Sequence, residues 1–411
     1  MADYIPFVNN EADCRTLVAE YKDAEILRVS LESIEDLRNL LPAGLAIWLD
    51  PSVDAFQHRL TTKWPDKPKR EWTNRQRQLW KKLDMLYGGL SNYGLLHDKK
   101  AWKQNNYNRI ALFVSELLEQ CNRYGPSWLT IPQLPLVDTG SRNKINKMLA
   151  RATRAWGLSA GFKGRLILPI VFTNQRQANS KSVRDNKLAQ AVECFDQAGA
   201  DGIWVVDSTL LDQSRNERFR NRYSNLIEFH ALLKEKLPHG AIKIGGPYWG
   251  LNLILWARGL CDHAAISLGS RYAYHISAGV PAAPSSRIAI PPLRRWVVIR
   301  DELCTWIDNS LKKLDSHDQA CKGLQYIQKN FRVLKSRHAS KKYTAQFYKY
   351  WFDKVASCPK DGRALALYQD LSTAFVVGSH LPDLPPTCLP NSPAYVRKPG
   401  KVAEQLMLNC L

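Results

Sequence analysis

From about residue 128 to residue 268 the chain repeats one unit. A short apolar run is followed by a turn of small or polar residues, then by a longer stretch with apolar residues at helical spacing. The stretch around Gly245, Ala-Ile-Lys-Ile-Gly-Gly-Pro-Tyr-Trp-Gly, is one such junction, with an apolar helix over 251–260. Strand and helix in alternation imply a parallel sheet, and strands that are apolar almost throughout imply a sheet buried on both faces. Strands are expected at 25–30, 46–49, 128–131, 165–172, 202–206, 241–244 and 264–268. The run at 287–290 or the run at 296–299 would supply an eighth. Eight units predict a (β/α)8 barrel, with an open doubly wound sheet as the alternative. No GxGxxG follows an early strand, which weakens a dinucleotide-binding version of that alternative. Pro169 inside the fourth strand is unusual, because proline gives no ladder hydrogen bond.

The rhythm breaks at 57–105. This stretch carries Lys67, Lys69, Arg70, Arg75, Lys81 and Lys82, with an amphipathic helix expected over 71–87. It reads as a basic insertion in the loop after the second predicted strand, and such loops carry function in this class of fold. The barrel is expected over 1–300. Helices follow over 293–314, 318–334, 344–355 and 362–375, giving a helical extension at 301–376. Residues 377–411 are proline-rich and read as a tail laid over the surface.

The formal charge is +20 and unevenly spread. Beside the insertion, residues 142–187 hold Lys144, Lys147, Arg151 and Arg154 among other cations, against a single acid, Asp185. Clustered cations gain by releasing counterions from phosphates, so the expected partner is nucleic acid, tRNA or DNA. The nine cysteines include no CxxC pair. That argues against a disulfide framework and against a standard zinc site. The N-terminus has neither a basic nor an apolar leader segment, and no apolar run is long enough to span a bilayer. A reduced, cytoplasmic protein without a membrane partner is the expectation; an oligomer is compatible with it. The sequence names no cofactor and no metal.

In a (β/α)8 barrel the active site gathers where strands end. That geometry selects Asp50, Gln133, Asn174, Gln175, Asp207, Gly245, Gly246, Tyr248, Ser270 and Arg271, with His275 shortly after. Asp50 and Asp207 are the candidate catalytic pair, as nucleophile or stabiliser and as acid or base at a glycosidic centre. Each could equally cap the segment that follows it. Gly245 and Gly246 suit a phosphate seat at the next helix start, or merely a tight turn. Lys243 would be a Schiff-base candidate if it pointed inward. The amides could read an extruded base, and Tyr248 or Trp249 could stack on it. No HExxH, P-loop, GxSxG or EF-hand pattern occurs.

In general plan, a basic barrel with two rim aspartates resembles the tRNA-guanine transglycosylases. The resemblance implies base exchange or hydrolysis at a sugar–base bond. The zinc site of that family, three cysteines and a histidine at close spacing, has no counterpart here. Competing expectations are a non-catalytic barrel that binds nucleic acid or a protein partner, a metal-dependent phosphodiesterase or nuclease, and a lysine-dependent lyase.

Overall fold

A computed structural model describes residues 3–8, 10–51, 107–134, 140–172, 181–207, 219–268, 286–316, 318–389 and 394–411. The expected insertion with Lys67, Lys69, Arg70, Arg75, Lys81 and Lys82 lies outside the described residues, as do Asn174, Gln175, Ser270, Arg271 and His275.

Eight parallel strands close into a barrel. They are β1 (Tyr4–Val8), β2 (Ile26–Ser30), β3 (Ala46–Asp50), β4 (Trp128–Thr130), β5 (Arg165–Phe172), β6 (Gly202–Asp207), β7 (Ile242–Gly245) and β8 (His263–Ile266). Helices alternate with them: α1 (Glu11–Glu20), α2 (Leu31–Leu37), α3 (Tyr107–Asn122), α4 (Gly140–Ala160), α5 (Lys181–Ala198), α6 (Phe219–Lys236) and α7 (Leu251–Ala257). The ring closes where β1 pairs with β8, Ile5 opposite Ala265. The expected eighth strand is therefore corrected. The runs at 287–290 and 296–299 lie outside the barrel, in a separate antiparallel pair, β9 (Arg287–Ile290) and β10 (Arg295–Val298). The closing strand is the first one, whose Pro6 reads as a break; the ladder to β2 starts one residue later, at Phe7 opposite Arg28.

Pro169 is accommodated by the same kind of offset. Ile131 donates to the Ile167 carbonyl at 2.9 Å, so Pro169, two residues on, turns its missing donor to the same side. The β4 ladder has already ended there, at Thr130 opposite Ile167.

Beyond the hairpin come α8 (Asp301–Leu311), α9 (Gln319–Lys329), α10 (Phe331–Leu334), α11 (Arg337–Ala356), α12 (Arg363–Ser379) and α13 (Lys401–Met407). The helix expected from residue 293 starts only at Asp301, since β10 occupies the residues before it. Two cores result. Phe347, Trp351 and Phe352 of α11 join the barrel core, whereas Leu303, Leu324, Ile327, Leu381 and Leu389 form a second core with β9 and β10. The last segment is more than a surface tail. Val402, Ala403 and Leu406 are buried in the barrel core, and the Arg295 guanidinium, itself buried, donates to the carbonyls of Val396 and Lys398 at 3.0 and 3.2 Å. Gly378 and Gly400 are needed where α12 meets the start of α13: a β-carbon on Gly378 would lie 2.3 Å from the Gly400 nitrogen. Among the described residues no helix is long and apolar enough to cross a membrane. None of the nine cysteines is paired with another.

Candidate active site at the barrel mouth

Side chains alternate along a strand, so register fixes which ones enter the barrel. Phe7, Trp48 and Trp204 stand on strands that are not neighbours, yet their rings meet edge to face at 5.3–5.4 Å. They can meet only inside. Register carries the inward set round the ring, Phe7 opposite Arg28, Arg28 opposite Trp48, Trp48 opposite Trp128, and Trp204 opposite Ile244. The indoles are anchored: Trp48 donates to Thr130 Oγ1 at 2.8 Å and Trp204 to the Gly246 carbonyl at 2.6 Å.

Two residues above Trp48, Asp50 shares its inward parity and forms a salt bridge with Arg28. Both side chains are 3% exposed. The guanidinium carbon lies 5.4 Å from the Phe7 ring centre and 5.9 Å from that of Trp204, within cation–π range. A charged pair thus sits near the C-terminal mouth, above a floor of three aromatic rings. Two ions out of water cost several kcal/mol each, and their mutual attraction has to offset that cost. Arg28 is absent from the residues that strand ends select. Its signal in the sequence is a lone arginine inside the apolar run Ile26-Leu27-Arg28-Val29.

Asp207 stands differently. It pairs with Phe172 in register, and Phe172 packs against Phe229 of α6, on the helix side of the sheet. Asp207 shares its parity with Ile203 and Val205 and not with Trp204, so the two aspartates leave their strands on opposite faces. Its backbone N–H donates to the Tyr248 hydroxyl at 2.6 Å, and that hydroxyl donates to the Val205 carbonyl at 3.3 Å. Tyr248 is buried and splints the end of β6.

The other described candidates are engaged within the fold. Gln133 donates to the Asn146 carbonyl at 3.0 Å and, with Asn146 clasping Leu134, ties the loop after β4 to α4. Gly245 faces outward: a β-carbon there would lie 3.0 Å from Leu255 and 3.4 Å from Cys261 Sγ. Gly246 adopts φ +99 and donates to the Val205 carbonyl at 3.1 Å. The start of α7 is covered by the C-terminal helices. Gly250 donates to the Tyr348 hydroxyl at 3.3 Å, and Leu251, Asn252 and Leu253 are fully buried. Among the described residues this helix start is therefore not open to a phosphate, which counts against the seat expected at Gly245 and Gly246. Trp249 donates to the Arg294 carbonyl at 2.8 Å and packs on Tyr348, so it is not a stacking platform for a base. Lys243 pairs with Asp262 at 3.0 Å where β7 begins, far from the mouth, which removes the Schiff-base reading. His263 lies deep in the barrel, its ring 5.9 Å from that of Trp128.

Part of the expected basic surface is buried. Arg184 is 7% exposed and pairs with Glu228 at 2.5 Å; Lys187 is 1% exposed. Lys147 pairs with Glu193 at 2.5 Å. Lys144, Arg151 and Arg154 remain exposed along one side of α4. Among the described residues no cluster of three or more His, Cys, Asp or Glu could hold a metal ion. The chain matches no protein-family model, and no curated protein matches it in sequence.

Proposed function

We propose that the chain is a nucleic-acid-directed enzyme that breaks or exchanges a sugar–base bond at the barrel mouth, with Asp50 as its reacting carboxylate. The observation that carries this reading is the buried Arg28–Asp50 pair at the C-terminal end of the barrel. As the base departs, positive charge develops on the sugar. A fixed carboxylate beneath it lowers the barrier, either by charge alone or by forming a covalent intermediate. Arg28 fixes the orientation of that carboxylate, and Phe7, Trp48 and Trp204 exclude water below it. The exposed cations of α4 support a polyanionic substrate. Asp207 leaves its strand on the other face, so Asp50 is taken as the reacting carboxylate without it.

The test is release of free base from tRNA and from single- and double-stranded DNA, followed by chromatography. Asp50→Asn should lower the rate at least a hundredfold in folded protein, as loss of an electrostatic stabiliser does (about 10²–10³). An unchanged rate would dismiss the reading. The opposite parity of Asp207 favours a second reading, a non-catalytic barrel that binds nucleic acid, which predicts salt-dependent binding without base release.

A further inference from the structure

Among the described residues, a further concentration of positive charge lies in the C-terminal extension. Between Gln319 and Phe352 the sequence holds no Asp or Glu. Some of its cations are neutralised by carboxylates outside this stretch: Lys335 by Asp301, Lys341 by Asp13, and Lys349 by Asp23 and Asp353. Lys322, Lys329, Arg332, Arg337 and Lys342 are exposed and have no carboxylate partner among the described residues. Of the acids nearby, Asp308 on α8 accepts a hydrogen bond from Gln328, and Asp318, four residues before Lys322, caps α9 by accepting from the Ala320 N–H at 2.8 Å.

An aromatic pair sits among these cations. Tyr326 of α9 and Tyr343 of α11 are stacked, with ring centres 5.3 Å apart and planes 10° from parallel. Tyr326 is 50% exposed. One of its faces covers Tyr343, so the exposure belongs to the other face and the ring edge. Lys322 and Lys329 stand four residues before and three after Tyr326 on the same helix, which places both beside it. Lys342 directly precedes Tyr343.

We propose that α9, α10 and the first turns of α11 form a binding face for single-stranded nucleic acid. A base stacks on Tyr326, and Lys322, Lys329 and Lys342 take the flanking phosphates. Two physical needs select this partner. Unpaired cations seek phosphates, and a braced, half-exposed ring offers a flat platform to an unpaired base but nothing to a base inside a duplex. Stacking on Tyr343 fixes the Tyr326 ring in advance, so less rotamer freedom is lost on binding. The inference shares only the class of partner with the barrel-mouth reading.

Fluorescence anisotropy on the whole chain tests it, with labelled oligothymidylate and oligouridylate of about 20 nucleotides at several salt concentrations. Tyr326→Ala should weaken binding about tenfold, the loss of one stacked base, and Tyr326→Phe should restore it. Lys322→Gln with Lys329→Gln should flatten the slope of log affinity against log salt by roughly 1.4, about 0.7 for each phosphate no longer neutralised. Lys144→Gln with Arg151→Gln, on the barrel, should change binding less than either. Tyr326→Ala with wild-type affinity would overturn the proposal. So would equal or tighter binding of duplex, or displacement of the oligonucleotide by vesicles of phosphatidylserine and phosphatidylcholine. Base release by the wild type separates the two readings: if it is absent while oligonucleotide affinity still depends on Tyr326, the mouth reading fails and this face stands.

Discussion

Replacing the Arg28–Asp50 pair one residue at a time, and then together, should give a strongly non-additive result. Each side chain is 3% exposed, so removing either leaves the other charge buried without its partner. Such a loss costs about 3–5 kcal/mol, while exchanging the whole pair for apolar side chains of similar volume is often neutral or stabilising by about 1–4 kcal/mol. Arg28→Met and Asp50→Leu alone are each expected to lose about 4 kcal/mol; the double variant should lie within about 1 kcal/mol of wild type. Arg28→Met also forfeits the cation–π attraction to Phe7 and Trp204, worth about 0.5–2 kcal/mol, so it should be the worse single. With unfolding entropy of about 2.1 cal/mol/K per residue, a loss of 4 kcal/mol over the whole chain corresponds to a melting shift of about 5 °C. Urea unfolding reads the cycle directly through tryptophan fluorescence, since Trp48 and Trp204 lie in the same interior. Singles that sum to the double within about 0.5 kcal/mol would refute a coupled buried pair.

Three further predictions rest on other parts of the fold. Gly250→Ala should cost about 1–3 kcal/mol in urea unfolding, because φ is +72 and the new carbon would lie 2.6 Å from Leu406; Gly44→Ala, at φ +80 with nothing within 4 Å, should lose only the backbone part, about 1 kcal/mol. Burial pushes the His230 imidazole down from 6.5 to about 3, so below pH 6.5 the unfolded chain takes up a proton that the folded chain refuses. Stability should therefore fall by up to about 1.4 kcal/mol per pH unit between about pH 6 and pH 4, and His230→Leu should flatten that limb; an unchanged slope would contradict the assignment. Burial opposes ionisation of Asp370, but Arg294 and Lys354 outweigh it and hold the carboxyl below its usual value. That contribution is present above the ordinary carboxylate range and is lost as pH falls through the depressed value. Asp370→Asn should remove it and speed proteolysis of the C-terminal helices at neutral pH.

The barrel was legible because its strands are apolar runs bounded by turn residues, and its helices carry one apolar face. The run from Trp128 to Leu268 shows this unit by unit. The closing strand was not legible, since Pro6 interrupts a run of only five residues. The site was harder, for a specific reason. When both faces of a strand are buried, both read as apolar, and the inward set cannot be told from the outward one. Asp50 and Asp207 look equivalent in the sequence, and only register separates them. Arg28 carried a readable signal, a charge within a strand that must find a partner inside. Charge counts overstated the basic surface between residues 142 and 187, because composition cannot reveal that Arg184 and Lys187 turn into the fold.

The central claim is that chemistry on nucleic acid occurs at the mouth, on Asp50. The most direct measurement is base release by the double variant Arg28→Met with Asp50→Leu, whose stability should match wild type and so remove unfolding as an explanation. Wild-type protein should release free base from single-stranded nucleic acid or tRNA, and the folded double variant should release none above the uncatalysed rate. Equal release by the two proteins, or none by either, would contradict the account.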